Sequence, residues 1–229
     1  MITNLPFYVY LLFGLATVLT VLFLYLAAQK NNKLGLLIIL IGGVQAVLSI
    51  NGYYADTSIQ PPPLIFLIPP VMVLIIATFI SKKGRAFIDT LNPKYLTILH
   101  VVRIPVELCL YWLFIGKYVP EIMTFSGWNY DIIAGLTAPL IFYFGYIKKK
   151  LKPSVLLTWN IICLGLLLTI ITIALLSAPL PFQQLAFDQP NIGVLYFPFI
   201  WLPGTIVPIV MFSHLVSIRY LIRQMNSGT

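Results

Sequence analysis

Seven long runs of apolar residues, separated by short polar stretches, make up almost the whole chain. A helix needs about 20 residues to cross the hydrocarbon core of a bilayer, and each run is close to that length or longer. The pattern predicts an all-α fold, a bundle of seven transmembrane helices at residues 6–28, 34–53, 64–81, 95–118, 130–147, 153–178 and 194–222. No polar stretch is long enough to build a second core, so residues 1–229 are predicted to form a single domain.

The composition strengthens this interpretation and excludes a soluble nucleic-acid-binding domain. Of the 229 residues, 60% are hydrophobic and 9% are charged, and the mean hydropathy is +0.97. A soluble domain usually carries about 25% charged residues. The net charge of +8 is spread over the ends of the apolar runs and is not gathered on one soluble face. We therefore expect the lipid bilayer as a partner and no nucleic acid.

The distribution of charge between the connections predicts the orientation. The connections on one side of the bundle sum to +11 and those on the other side, which include the N-terminus, sum to −3, which together give the net charge of +8. Because cytoplasmic loops are enriched in Lys and Arg, the N-terminus is predicted to lie outside and the C-terminus in the cytoplasm. This interpretation places the protein in the bacterial cytoplasmic (inner) membrane.

The fourth apolar run carries His100, Arg103 and Glu107 in its interior. At about 100° per residue these three side chains lie on one face of a helix. A charged side chain at the bilayer centre costs about 2.5–3.5 kcal/mol on insertion scales, so the face is predicted to turn toward protein or water. The spacing of Arg103 and Glu107 also allows an ion pair within the helix.

Other polar side chains are predicted at related depths in the membrane. Counting a rise of 1.5 Å per residue from the basic ends of the helices places Tyr143, Asn160 and His214 level with His100. Gln45 lies nearer the middle. The predicted ligand-binding residues are therefore His100, Arg103, Glu107, Asn160, Tyr143 and Gln45.

Three hypotheses for the function follow from these residues. Buried ionisable groups mark solute paths and proton relays, so the first is a carrier or solute-binding membrane protein for a small polar or anionic solute, an ion or a proton. The second is a membrane redox protein in which His100 and His214, the two histidines of the chain, hold haem or a metal ion. The third is a non-catalytic membrane subunit or scaffold whose polar face on the fourth helix binds a partner helix. Independently of these hypotheses, Arg103 and Glu107 could form a structural ion pair that holds the bundle together.

The chain lacks the common sequence motifs for metal, haem or redox sites, and this bears on the choice between the hypotheses. It has no CxxC, CxxCH or HExxH sequence, so no cofactor is predicted directly, and a non-enzymatic role is favoured over an enzyme. Cys109 and Cys163 are interpreted as buried apolar side chains. Seven helices with an outside N-terminus resemble the topology of microbial rhodopsins and G-protein-coupled receptors. However, the seventh run lacks the lysine that a retinal Schiff base needs, and the chain lacks DRY-like and NPxxY-like sequences.

Overall fold

A computed structural model describes residues 2, 5–56, 59 and 61–227, and every regular element among them is helical. Within these residues, six helices are long and apolar enough to cross a membrane: α1 (Phe7–Ala27), α2 (Asn32–Ile50), α3 (Pro63–Ile80), α5 (Pro93–Ile115), α7 (Pro153–Leu176) and α8 (Leu202–Ser227). The short helix α4 (Lys82–Ile88) follows α3, and α6 (Ile132–Ile147) is a shorter apolar helix.

The prediction of an all-helical protein of membrane type is confirmed in this coarser form. The long apolar helices are compatible with a membrane protein. The predicted count of seven crossings depends on α6, which is shorter than the roughly 20 residues that a full crossing needs. The seven-helix count and the orientation therefore stay predictions.

Hydrogen bonds tie the connections together at each end of the bundle. At one end, the backbone N–H of Asn92 donates to the carbonyl of Ala27 at 2.9 Å. At the other end, the side-chain amide of Gln189 donates to the carbonyl of Val119 at 2.6 Å. We name the first end the C-terminal face, because α8 ends there, and the second the N-terminal face.

Local sequence explains where several helices begin. Three helices, α2, α4 and α5, have an N-cap residue whose side chain accepts hydrogen bonds from backbone N–H groups of the first turn. These N-cap residues are Asn31, Ser81 and Asn92. The predicted start of the last helix at residue 194 is wrong, because residues 193–195 form a short 3₁₀ turn and the long helix begins at Leu202. Pro198 lacks a backbone N–H and restricts the residue before it, which interrupts the helical pattern there.

The helices differ in how deeply they are buried. α5 packs against α1, α6 and α8, and the most buried helices are α5 and α8. In α3 no residue between Ile68 and Ile80 is buried, and in α2 only Gln45 and Ser49 are. The polar residues of α5 and α8 therefore lie at the centre of the bundle. Both helices are irregular there, with a 3₁₀ turn at Leu99–Val102 and a π-helical turn at Leu202–Ile206.

A cluster of ion pairs lies at the C-terminal face. Arg219 Nε donates to Oδ1 of Asp89 at 3.0 Å, and Arg223 contacts the other carboxylate oxygen. Hydrogen bonds from Arg219 and then from Arg223 hold the pKa of Asp89 below its ordinary value of 3.8. The cluster therefore links the connection between α4 and α5 to the last turns of α8.

We expect Asp89→Asn to lower the thermal unfolding midpoint slightly at neutral pH, because exposed ion pairs contribute little to stability. A carboxylate whose pKa is lowered on folding stabilises the protein above its unfolded-state pKa and loses this effect as the pH falls through the folded-state pKa. The difference between parent and variant should therefore fade as the pH falls through 3.8 and below. Thermal unfolding in detergent over a pH series measures it, and a difference that persisted in acid would contradict the assignment.

Candidate functional site

Arg103 lies at the centre of a buried polar cluster, but its carboxylate partner is not the expected one. Its Nη1 lies 2.9 Å from Oδ1 of Asp131, and its Nη2 lies 3.2 Å from Nε2 of His214. Nη1 also donates to the carbonyl of Cys163 at 3.4 Å. Asp131 is the one carboxylate within 4.0 Å of Arg103 in the described part of the chain, so the ion pair with Glu107 along the helix is not formed.

The close approach of α6 to α5 brings Asp131 to Arg103. Asp131 immediately precedes α6, and Gly135 follows one turn later. A Cβ on Gly135 would lie 2.9 Å from Cγ1 of Ile104 and 3.3 Å from Cβ of Arg103, so the missing side chain permits the contact. Asp131, which is not among the predicted site residues, is only 5% exposed. The sequence did contain a signal for this contact, namely an acidic residue directly before an apolar helix and a glycine one turn later in that helix.

The two histidines form a stacked pair next to Arg103. The ring centroids of His100 and His214 are 3.8 Å apart and the ring planes differ by 14°. Nδ1 of His214 lies 2.9 Å from Oδ1 of Asn160, and the ring of Trp159 lies 5.5 Å from that of His100. Neither ring nitrogen of His100 has a hydrogen-bond partner among the described residues. The structure thus joins His100, Arg103, Asn160 and His214 from three helices, and adds Trp159, which the sequence analysis missed.

The geometry of this pair bears on the hypothesis of a haem or metal site. An imidazole nitrogen presents its lone pair in the plane of the ring, so two nearly parallel rings do not point at a common ion. The residues that the structure describes contain no group of three or more His, Cys, Asp or Glu side chains that could hold a metal ion. Ligation by His100 and His214 together would need one ring to turn, and it stays a prediction.

Glu107 is held by an amide. Nδ2 of Asn129 lies 2.7 Å from each carboxylate oxygen of Glu107 and donates to them, and Oδ1 of Asn129 accepts the backbone N–H of Asp131 at 3.0 Å. Glu107 is 1% exposed, and no basic group in the described ranges lies within 4.0 Å of it. Since Arg103 and Asp131 balance each other, the charge of Glu107 has no compensating partner in the cluster.

The connection between α5 and α6, which supplies Asn129 and Asp131, folds back into the bundle. Met123, Thr124 and Asn129 are all buried, although they lie in one of the short stretches between the predicted helices. The signal that could have revealed it is the mixture of apolar residues with few charges between residues 119 and 131, which is unusual for a solvated loop.

Two of the predicted site residues lie away from the cluster. Tyr143 is 44% exposed, and Nζ of Lys148 lies 5.6 Å from the centre of its ring. It belongs to a π-helical segment, whose different rotation per residue turns side chains away from the face that an α-helix would present. Gln45 is buried in a separate contact between α2 and α8, where its amide donates to the carbonyl of Gly204 and accepts from Thr205.

An apolar cavity of about 310 Å³ lies beside Glu107 and Asp131. It is lined by residues of α3, α5, α7 and α8 together with the connections at the N-terminal face, and its polar lining residues are Glu107, Asp131 and Asn191. Oδ1 of Asn191 is buried without a hydrogen-bond partner among the described residues. Leu168 also lines the cavity and is 47% exposed, so the cavity reaches the side of the bundle.

The fold and this cluster define a helical protein of membrane type with a buried, charged site. Residues 61–222 match a family model described as a domain of unknown function, DUF8737. The match covers most of the chain, which therefore belongs to this family. It begins next to α3 and includes the whole Arg103 cluster and the cavity, whereas α1 and α2 precede it. Comparisons with curated proteins and with solved structures give no match.

Proposed function

We propose that the protein binds a small apolar molecule with one positive charge in the cavity beside Glu107, and that this cation exchanges with a proton. The observation that supports the proposal is Glu107 itself, a carboxylate that is 1% exposed and lines an apolar cavity without a cation at ion-pair distance. A buried, ionised carboxylate without a compensating charge is strongly unfavourable. It must be neutralised either by a proton or by a bound cation.

The contacts of Arg103 argue against a small anionic solute, which is one of the alternatives within the first hypothesis. The guanidinium of Arg103 already contacts Asp131, His214 and the carbonyl of Cys163. An anion would have to displace Asp131 and would leave that buried carboxylate without its cation, which is strongly unfavourable. The proposal therefore replaces the anionic solute with a cationic one.

The lining of the cavity defines the rest of the solute. Apart from Glu107, Asp131 and Asn191, every lining residue is apolar, so the body of the solute should be apolar too. The unpartnered Oδ1 of Asn191 can accept a hydrogen bond from a primary or secondary amine. Because the cavity reaches the side of the bundle at Leu168, such a molecule would enter from the bilayer.

Competition between a proton and a cation for one carboxylate is the chemistry of a proton-coupled carrier. Binding of the solute would release the proton from Glu107, and its departure would take a proton up, since the two equilibria are linked. The irregular turns at Leu99–Val102 and Leu202–Ile206 would let α5 and α8 bend around the site. The proposal keeps the predicted orientation in the bacterial cytoplasmic membrane.

We expect benzyltrimethylammonium to bind the purified protein in detergent and to release about one proton per molecule bound. This probe is a permanent cation and cannot lose a proton itself, so any proton released comes from the protein. Isothermal titration calorimetry in two buffers with different ionisation enthalpies measures the affinity and the number of protons together. Binding without proton release would contradict the proposed exchange.

Glu107→Gln should weaken binding of benzyltrimethylammonium about tenfold, or about 1.4 kcal/mol, and should abolish the proton release. The amide keeps the shape of the side chain but carries no charge. Neopentylbenzene, the uncharged isostere of the probe, should bind the parent and the variant alike. Glu121→Gln is the matched control, because it removes an exposed carboxylate from the same connection. An unchanged cation affinity in Glu107→Gln would refute the role of this residue.

A further inference from the structure

We infer that one acyl chain of an anionic phospholipid occupies the groove between α1 and α2, with its phosphate at Lys30 and Lys33. The groove is separate from the cavity beside Glu107, and its main walls lie outside the region matched by the family. The inference therefore does not rest on the proposed function.

The docking of α2 is uneven along its length. Its buried residues, Gln45 and Ser49, lie in the half near the N-terminal face, and no residue from 32 to 44 is buried. The hydrogen bonds that join α2 to α8 and to the segment before it are in the same part of the helix. Ser49 donates to the carbonyl of Leu195 at 2.9 Å, and Trp201 donates to the carbonyl of Gly42 at 2.9 Å. The other half of α2 has no buried residue, and its hydrogen bond to α1 is the one from Tyr25 to Asn32.

A groove of about 750 Å³ lies in the space between α1 and α2. It extends from Tyr25 and Asn32 at the C-terminal face to Thr17 and Gly43, and its walls are mainly apolar. An α-helix rises about 16 Å from Asn32 to Gly43. This distance is close to half of the roughly 30 Å hydrocarbon core, which is the depth of one leaflet. The groove thus has the length and the lining that fit one acyl chain of the leaflet at the C-terminal face.

The positive charge at the end of the groove near the C-terminal face favours a particular type of phospholipid headgroup. Lys30 and Lys33 are exposed in and next to the turn between α1 and α2, beside the hydrogen bond of 2.6 Å from Tyr25 to Asn32. Among the described residues, the acid at this face is Asp89, which is already paired with two arginines. Two lysines without a nearby free carboxylate favour a phospholipid with net negative charge over a zwitterionic one. In the predicted orientation this is the cytoplasmic leaflet.

Native mass spectrometry of the delipidated protein tests the headgroup. We expect palmitoyl-oleoyl phosphatidylglycerol to bind more tightly than phosphatidylethanolamine with the same chains. The double variant Lys30→Gln/Lys33→Gln should lose about tenfold in affinity for phosphatidylglycerol and little for phosphatidylethanolamine. Lys82→Gln/Lys83→Gln removes the same charge from the same face and should behave as the parent. An equal loss in both double variants, or no headgroup preference in the parent, would overturn the inference.

A substitution that fills the groove tests where the chain lies. Gly43 lines the groove, and a Cβ at this position would meet no atom within 4 Å, so Gly43→Phe can place its ring in the groove. We expect this variant to bind both phospholipids at least about fivefold more weakly. Gly165→Phe is the matched control, because a Cβ on this glycine of α7 also meets nothing within 4 Å. Equal lipid binding in the two variants would overturn the location. Neither variant should change the affinity for benzyltrimethylammonium.

Discussion

Arg103→Gln is expected to lower the free energy of unfolding by about 3–5 kcal/mol, the largest effect that we predict. Arg103 is the cation that balances Asp131 at 2.9 Å, and it also contacts His214 and the carbonyl of Cys163. Without it, the carboxylate of Asp131 would lie in a buried site with no positive charge. Equilibrium unfolding in mixed micelles measures the change.

A double-mutant cycle separates this explanation from a simple loss of packing. Adding Asp131→Asn to Arg103→Gln removes the carboxylate that the first substitution leaves unpaired, so the double variant should be more stable than Arg103→Gln alone. Lys117→Gln is the control, since it removes an exposed cation near the same connection and should change stability by less than about 0.5 kcal/mol. If Asp131→Asn gave no recovery, the ion pair would not be the source of the loss.

The buried face of the fourth predicted helix could be derived from the sequence. His100, Arg103 and Glu107 share one side of a helix because of its period, and the unfavourable transfer of charge into hydrocarbon requires that side to face inward. All three side chains are 3% exposed or less. A property of a single helix, such as which of its faces is buried, needs no knowledge of the neighbouring helices. The buried face of this helix could therefore be predicted from its own sequence.

The partners of these residues depend on how the helices pack, which the sequence does not specify. Arg103 pairs with Asp131 and not with Glu107, because α6 approaches α5 closely at Gly135 and the connection before it folds inward. The rise per residue predicted that Asn160 and His214 lie at one depth, but their contact at 2.9 Å also depends on the rotation of α7 and α8.

Tyr143 is a predicted site residue that lies away from the cluster, again for a reason that the sequence does not specify. Its depth was derived in the same way as that of Asn160, yet its side chain is exposed and contacts Phe144 and Lys148. The π-helical turn from Phe142 to Ile147 changes the rotation of the helix at this point. Depth along a helix follows from counting residues, whereas the direction of a side chain also depends on backbone irregularities that the sequence did not reveal here.

Gly127→Ala is expected to lower the free energy of unfolding by about 1–3 kcal/mol and to displace Asn129 from Glu107. Gly127 lies in the connection between α5 and α6, two residues before Asn129. A Cβ at this position would lie 2.7 Å from the Cα of Ile122 and closer still to the carbonyl oxygen of Glu121. Both are backbone atoms, so neither can turn aside as a side chain would, and the connection must shift. Equilibrium unfolding measures the loss, and the infrared carboxylate bands of Glu107 report the displacement.

Gly165→Ala separates this backbone clash from the general effect of replacing a glycine. A Cβ on Gly165 meets nothing within 4 Å, and alanine is favoured over glycine inside a helix by up to about 1 kcal/mol. The same substitution should therefore stabilise the protein slightly in α7 and destabilise it in the connection. If the two variants had the same stability, the connection would be free to move. In that case Asn129 would not hold the carboxylate of Glu107 in a fixed position. The proposed competition between a proton and a cation for this carboxylate would then lose its structural basis.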